Sequence, residues 1–207
     1  LEIETLAARV LAALREPLDA VRQGYVASTS VGVAIYPDHG TTFDHLLQHA
    51  DSAMYVAKND GGATCAVFEE SMGEKAAARI DLEAELRLAL ARGEFELHYQ
   101  PQINLRSGKV SGAEALIRWR HPQRGFISPM DFIPVAEETG QIVAIGYWVV
   151  REVCRQIAEW RTDGVAVPRV AINVSVQQML APGFVDRLRG LLGDYRVRPD
   201  EVELEVT

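Results

Sequence analysis

Residues 95–119 contain the side chains whose types and spacing best suit chemistry. Apolar and polar residues alternate from Phe95 to Gln100, which is typical of a half-buried strand. Further on, Glu114, Leu116 and Arg118 occupy every second position. A strand rises about 3.3 Å per residue, so Glu114 and Arg118 would project from one face roughly 13 Å apart. This spacing suits an anionic ligand that joins a metal ion on the carboxylate to a phosphate on the guanidinium.

The two halves of this stretch are separated by a short turn, Arg106 to Lys109. The turn is too short for a crossover helix, so we expect an antiparallel hairpin. Ala113, Ala115, Ile117 and Trp119 would form its apolar face. From the pattern alone, Glu114 and Arg118 could equally be solvated residues of an edge strand.

The order of the residues resembles a known family. Tyr99-Gln100-Pro101, Glu114-Ala115-Leu116 and Arg118-Trp119 follow one another as at the entry to an EAL domain, the bacterial phosphodiesterase that linearises cyclic di-GMP. Three later segments resemble that family in the same order: FIPVAEETG at 132–140, AINVS at 171–175 and ELEVT at 203–207.

The composition is that of an ordinary globular chain. Of 207 residues, 48% are hydrophobic and 24% charged, as in folded domains. The net charge of −8 argues against a broad nucleic-acid surface. Cys65 and Cys154 lie far apart, which disfavours a disulfide framework or a zinc site. The sequence shows neither a signal peptide nor an apolar run of spanning length, so we expect a cytoplasmic segment whose parent is either soluble or membrane-anchored upstream.

The first third alternates helices and strands. We expect a helix over residues 1 to about 17, a strand from Tyr25 to Tyr36, a helix from about Thr42 to Asn59 and a short strand from Cys65 to Glu69. On the second helix Asp44, Asp51 and Lys58 recur at seven-residue steps. On spacing alone, they form a solvated polar seam.

This third resembles the closing part of a GGDEF domain, the diguanylate cyclase fold, through SVGVAIYPDHG and HADSAMYVAKNDGG. The resemblance implies that Lys58 reaches nucleotide phosphates and that GTP is a ligand of this part. Gly62 and Ala63 stand where the family usually has arginine and asparagine. The signature loop of the family is absent, so we expect no synthesis of cyclic di-GMP by this third.

A helix should connect the two parts. Residues 70–75 lead into a helix from about Ala76 to Arg92, with Leu82, Leu86 and Leu90 on one face and Gly93 as its stop. We therefore expect the GGDEF part at 1–72, a linker helix at 73–92 and the N-terminal half of an EAL domain at 93–207.

The remaining elements indicate a barrel. A loop at 121–125 precedes a helix that starts at Ser128-Pro129 and ends near Thr139. A longer helix ends at Gly164, and strands at 168–175 and 202–207 flank a helix at about 184–192. Repeating βα units predict a (β/α) barrel. The antiparallel first strand matches the EAL variation, and roughly half of a barrel of about 250 residues is present.

Glu114, Asn173 and Glu205 are oxygen donors near the ends of three successive strands, as a hard cation such as Mg²⁺ or Mn²⁺ requires. Taken singly, Asn173 could instead pair with backbone, and Glu205 could be an exposed edge acid. The EAL resemblance implies that these three residues are catalytic and hold the first of two metal ions. It also implies that Leu116 and Arg118 line the substrate groove with Gln100.

The resemblance implies hydrolysis of cyclic di-GMP to linear pGpG by two-metal chemistry. The expected protein is a bacterial signalling phosphodiesterase that forms a homodimer through its EAL domain. The segment alone should be inactive, because an adjacent aspartate pair, a lysine and further groups would follow Thr207. The alternatives are a receptor that binds cyclic di-GMP without cleaving it and an interaction scaffold.

Overall fold

The computed structural model describes residues 2–14, 29–59, 62–165 and 169–206. They form two compact units, residues 1–80 and 81–207. The boundary between the units falls within one helix, and each unit is described by itself below.

The first unit contains two helices, a two-stranded sheet and the beginning of a third helix. Its elements are α1 (Glu2–Leu14), β1 (Val31–Val33), α2 (Phe43–Asn59), β2 (Cys65–Val67) and the start of α3 (Glu70–Arg92). β1 and β2 are parallel, with Val31 opposite Cys65, so α2 is the crossover that parallel strands need. A Cβ at Gly32 would lie 1.9 Å from the Ala50 carbonyl oxygen. Only glycine therefore lets α2 approach this strand.

Two predicted elements of this unit differ from the structure. Within the described residues, the strand expected from Tyr25 to Tyr36 covers only Val31–Val33. Ile35 instead lies in a turn, where its N–H donates to His39 Nδ1 and its carbonyl oxygen accepts from the His39 N–H. Residues 25–28 of that prediction lie outside the described residues, as do 15–17 of the first predicted helix. The linker helix begins at Glu70 rather than at Ala76, since Gly73 does not interrupt it and packs against Phe68.

The second unit is an open sheet covered on one side by helices. Its strands are β3 (Phe95–Ile103), β4 (Val110–His121), β5 (Gly125–Ile127), β6 (Val170–Val174) and β7 (Val202–Val206). Its helices are the rest of α3, then α4 (Pro129–Glu138), α5 (Ile142–Thr162), α6 (Val176–Leu180), α7 (Phe184–Asp194) and a 3₁₀ turn (Pro199–Glu201). The sheet order is β3-β4-β6-β7, with β5 paired to β4.

The strand directions are those of a barrel with a reversed first strand. β3 and β4 are antiparallel, whereas β4, β6 and β7 are parallel. The hairpin is thus confirmed, with a turn that begins at Asn104, whose side-chain oxygen accepts from the backbone of Arg106 and Ser107. Within the described residues, β3 and β7 are the open edges of the sheet.

The core of this unit lies between the sheet and the helices α3, α4 and α5. Trp119 is fully buried and meets Phe95 and Phe132 with ring centroids 5.8 and 5.6 Å apart. Its indole N–H donates to Glu94 Oε2 at 2.9 Å, so the buried polar atom is satisfied. These contacts fix the β4 residues on the helix side, which leaves the alternate residues on the other face.

Two short elements were not predicted. β5 begins at Gly125, the last residue of the loop predicted at 121–125, and pairs with the end of β4. α6 follows β6 directly and begins with a capping box: Ser175 Oγ accepts from the Gln178 backbone, and Gln178 Oε1 accepts from the Ser175 backbone at 2.9 Å. The start of α4 after Ser128, the break at Gly140 and the end of α5 shortly before Gly164 are as expected. Ser128 Oγ accepts from the Met130 N–H.

Candidate active site

The face of the β3–β4 hairpin that points away from the helices carries the residues singled out by their spacing. Gln100 lies directly opposite Glu114, and His98 lies opposite Leu116. Directly opposite residues on antiparallel strands have Cβ atoms about 5 Å apart. Gln100, Glu114 and Leu116 therefore form one contiguous patch, and the predicted alternation of faces is confirmed.

The three predicted metal ligands come together on adjacent strands. The Asn173 amide Nδ2 donates to Glu114 Oε1 at 2.8 Å, although 59 residues separate the two in sequence. Asn173 is also paired in register with Glu205 across β6 and β7. Within the described residues, the side-chain partner of Asn173 is thus a carboxylate and not a backbone group.

One detail of the prediction is wrong. Asn173 and Glu205 each lie one residue before the end of their strands, but Glu114 lies in the middle of β4. β4 continues to His121 because its last residues pair with β5 and with the start of β3. Glu114 is in register with Ala171, two residues before Asn173, and its side chain reaches forward along the sheet to the amide.

Arg118 follows Glu114 and Leu116 along the same face and is half-buried. Its Nη1 donates to the backbone oxygen of Ile117 at 2.9 Å. Within the described part of the chain, the guanidinium makes no ion pair with a carboxylate. An uncompensated guanidinium on an open face is suited to an anion such as phosphate.

The carboxylate opposite Arg118 belongs to Glu96, and sequence analysis did not single it out. Glu96 Oε1 accepts from His98 Nε2 at 2.8 Å, and its Oε2 accepts from Arg120 Nε at 3.1 Å. The hydrogen bond from His98, together with the nearby Arg120, lowers the pKa of Glu96. Phe126 packs against both partners, with its ring 4.9 Å from the Arg120 guanidinium carbon. Period-two alternation alone would have placed Glu96, His98 and Arg120 on this face.

Two buried residues, Ser175 and Gln178, fix the end of β6 on the side that packs against α5. Ser175 and Gln178 are buried and form the capping box of α6. The Gln178 side chain fills the space above Gly146 of α5, where an added Cβ would lie 1.4 Å from its Nε2 atom. This contact fixes the backbone two residues after Asn173. The sequence signal was available, because Ser-x-x-Gln is a capping-box pattern.

Lys58 lies in the last turn of α2 in the first unit and is exposed. Asp44 and Asp51 are exposed as well, so the polar seam faces solvent. Gly62 and Ala63 follow with φ angles of 67° and 52°. Asp60 and Gly61, part of the predicted helix stop, lie outside the described residues.

The donor set fits a hard divalent cation. Two carboxylates and one amide oxygen are the ligands that Mg²⁺ and Mn²⁺ prefer. Among the described residues, no group of three or more His, Cys, Asp or Glu side chains is placed to hold a metal ion.

Comparison with known proteins identifies the family. The EAL domain family matches residues 83–207, and the diguanylate cyclase GGDEF domain family matches residues 1–64. The chain belongs to the EAL domain family, with a GGDEF segment in front of the EAL domain. Its fold class is accordingly a mixed α/β, TIM-barrel-like one, as the sequence predicted.

Several characterised proteins are similar to this chain. It is 41% identical over 203 residues to the bifunctional diguanylate cyclase/cyclic di-GMP phosphodiesterase MucR of Pseudomonas aeruginosa, covering 98% of this chain and 30% of that protein. It is 38% identical over 205 residues to the cyclic di-GMP phosphodiesterase PdeR of Escherichia coli, covering 99% of this chain and 31% of that protein. The chain thus spans about a third of the length of these relatives.

A solved structure of the MucR phosphodiesterase in a c-di-GMP complex is 44% identical, with a TM-score of 0.59. The match covers 61% of this chain and 51% of that chain.

Across the described parts of the present chain, no helix combines the length and apolar character needed to cross a membrane.

Proposed function

We propose that this chain is a segment of a bacterial signalling protein whose EAL domain hydrolyses cyclic di-GMP to linear pGpG. The observation that carries the proposal is the bond between Asn173 and Glu114, with Glu205 in register beside them. It gathers three oxygen donors from separate strands at one place on the open face. The similarity to MucR and PdeR supports the same substrate.

In this proposal, Glu114, Asn173 and Glu205 bind the first of two Mg²⁺ or Mn²⁺ ions. Bound metal would supply an activated water and charge stabilisation for phosphodiester cleavage. Arg118 binds a phosphate of the substrate, and Leu116 packs against it in the groove. Gln100, opposite Glu114, adds an amide to the same wall. The Asn173–Glu114 bond orients the carboxylate before a ligand arrives.

The first unit has a different role in the proposal. Lys58 contacts nucleotide phosphates, with GTP as the ligand, while Gly62 and Ala63 weaken that site. We propose residues 1–72 as the GGDEF part, 73–92 as the linker helix and 93–207 as the beginning of the EAL domain. The full-length protein acts in the cytoplasm as a homodimer through its EAL domain.

The test uses the full-length protein with Mg²⁺ and cyclic di-GMP, and product formation is followed by chromatography. Glu114→Ala and Glu205→Gln should lower kcat more than about 100-fold, because several kcal/mol of metal-dependent stabilisation are lost. Glu203→Gln is the matched control. Glu203 lies on the same strand and face as Glu205 but pairs with Arg169 at 3.0 Å, so its loss should leave kcat within about twofold, as for an exposed ion pair.

Turnover in the Glu114→Ala variant at the wild-type rate would refute the assignment. Binding of cyclic di-GMP by the wild-type protein without formation of pGpG would instead identify a receptor. Absence of both binding and turnover would leave the scaffold interpretation.

A further inference from the structure

We propose that Arg120 and His98 hold the Glu96 carboxylate away from Arg118 and thereby keep Arg118 free for the anionic substrate. The inference rests on the proposed function, in which Arg118 binds a phosphate. It assigns positioning roles to three residues on the rim of the site.

Register makes Glu96 the natural partner of Arg118. The two residues lie directly opposite each other on β3 and β4, where opposite charges ordinarily attract across the strands. Within the described residues, Arg118 nevertheless donates only to the neighbouring Ile117 carbonyl. An acid and a base thus lie directly opposite each other in register in this part of the structure without forming an ion pair.

The reason is that both Glu96 oxygens are engaged elsewhere. His98 Nε2 occupies Oε1 at 2.8 Å, and Arg120 Nε occupies Oε2 at 3.1 Å. Phe126 lies in register with Arg120 on β5, and its ring supports the guanidinium from one side. A cation held over an aromatic face loses some of its freedom to move. Arg120 is thus positioned to retain the carboxylate.

The contacts of Glu96 predict the effect of removing Arg120. In Arg120→Ala, the Oε2 atom of Glu96 loses its partner, and the carboxylate turns to the Arg118 guanidinium opposite. Glu96 then competes with the substrate phosphate for Arg118. Because exposed opposite-charge pairs are weak, this competition should raise KM by only about 1.5- to fivefold. The metal ligands are untouched, so kcat should change less than twofold. Arg120→Lys should partly restore KM.

A double-mutant cycle on the full-length protein separates this mechanism from a general effect of charge. Glu96→Gln should lower KM in both backgrounds, and by a larger factor when Arg120 is already alanine, because only there is the carboxylate released. Arg124→Ala removes the same charge from an exposed position on the adjacent turn and should not shift KM by more than the experimental error.

Equal effects of Glu96→Gln in the two backgrounds would overturn the proposal, since a simple field effect is additive. An Arg120→Ala variant with unchanged KM would overturn it as well. Failure of the proposed function gives a different result, because the wild-type protein would then form no pGpG, whether or not it binds cyclic di-GMP.

Discussion

Replacing Gly146 by alanine should destabilise the second unit, contrary to the usual effect of this change inside a helix. Gly146 lies in α5, where alanine is normally favoured by about 0.5–1 kcal/mol. Here the new methyl group would lie 1.4 Å from Gln178 Nε2 and 2.4 Å from its Cδ atom. The buried Gln178 side chain must therefore move.

The size of this destabilisation follows from the contacts that the Gln178 side chain makes. When its side chain moves, the Ser175 backbone N–H loses its 2.9 Å bond and remains buried, at a cost of about 1–3 kcal/mol. Crowding in the packed interior adds about 1–3 kcal/mol. After subtraction of the helix gain, Gly146→Ala should lower the free energy of unfolding by about 1–5 kcal/mol.

Gly190 provides a matched control. It lies inside α7, and nothing stands within 4 Å of an added Cβ. Gly190→Ala should therefore stabilise the unit by about 0.5–1 kcal/mol. Urea unfolding followed by tryptophan fluorescence is the appropriate assay. All three tryptophans, at 119, 148 and 160, lie in the second unit, so the signal reports on this unit alone. Equal midpoints for the two alanine variants would refute the reasoning.

Two further predictions concern polar contacts of the same unit. Burial acts to raise the pKa of Glu201, but the Arg198 backbone N–H and the Arg161 guanidinium outweigh it, so the pKa is lowered from 4.5. The stabilisation is complete above the unfolded pKa and is lost as the pH falls through the folded pKa. The unfolding midpoints of wild type and Glu201→Gln should therefore converge as the pH falls below 4.5, and a difference that stays constant with pH would contradict this. Glu94→Ala should lower the free energy of unfolding by about 1–3 kcal/mol, because the buried Trp119 N–H is left unpaired. The loss should be much smaller in a Trp119→Phe background, as measured by unfolding followed with circular dichroism. An equal loss in both backgrounds would exclude the Glu94–Trp119 bond as the cause.

Sequence reasoning predicted best where the physical cause is local. The alternation of apolar and polar residues predicted both faces of the β3–β4 hairpin, because neighbouring side chains on a strand necessarily point to opposite sides. Ser128 and Pro129 gave the start of α4, since capping depends on adjacent residues. The start of α3 was misplaced, since the helix already includes residues 70–75, where Gly73 packs against Phe68.

The features that the sequence did not predict depend on pairing with residues that are distant along the chain. β5 has only three residues, and it becomes a strand through pairing with Trp119, Arg120 and His121. The position of Glu114 in the middle of its strand follows from that same pairing, which no local pattern contains. The three candidate ligands lie on adjacent strands, and their role as ligands stays a prediction. The bond between Glu114 and Asn173 could not be predicted from spacing alone, since it depends on the register between β4 and β6.

The strand order also has a consequence for how the site is assembled as the chain folds. The β3–β4 hairpin closes a short turn, whereas the Glu114–Asn173 contact must close a loop of 59 residues. Loop closure of that length costs chain entropy and is slow compared with hairpin formation. During synthesis, the wall with Gln100, Leu116 and Arg118 would therefore form first, and the carboxylate–amide cluster would be completed only when β6 and β7 join the sheet. A change that weakens the hairpin should slow folding, whereas one at β7 should mainly accelerate unfolding.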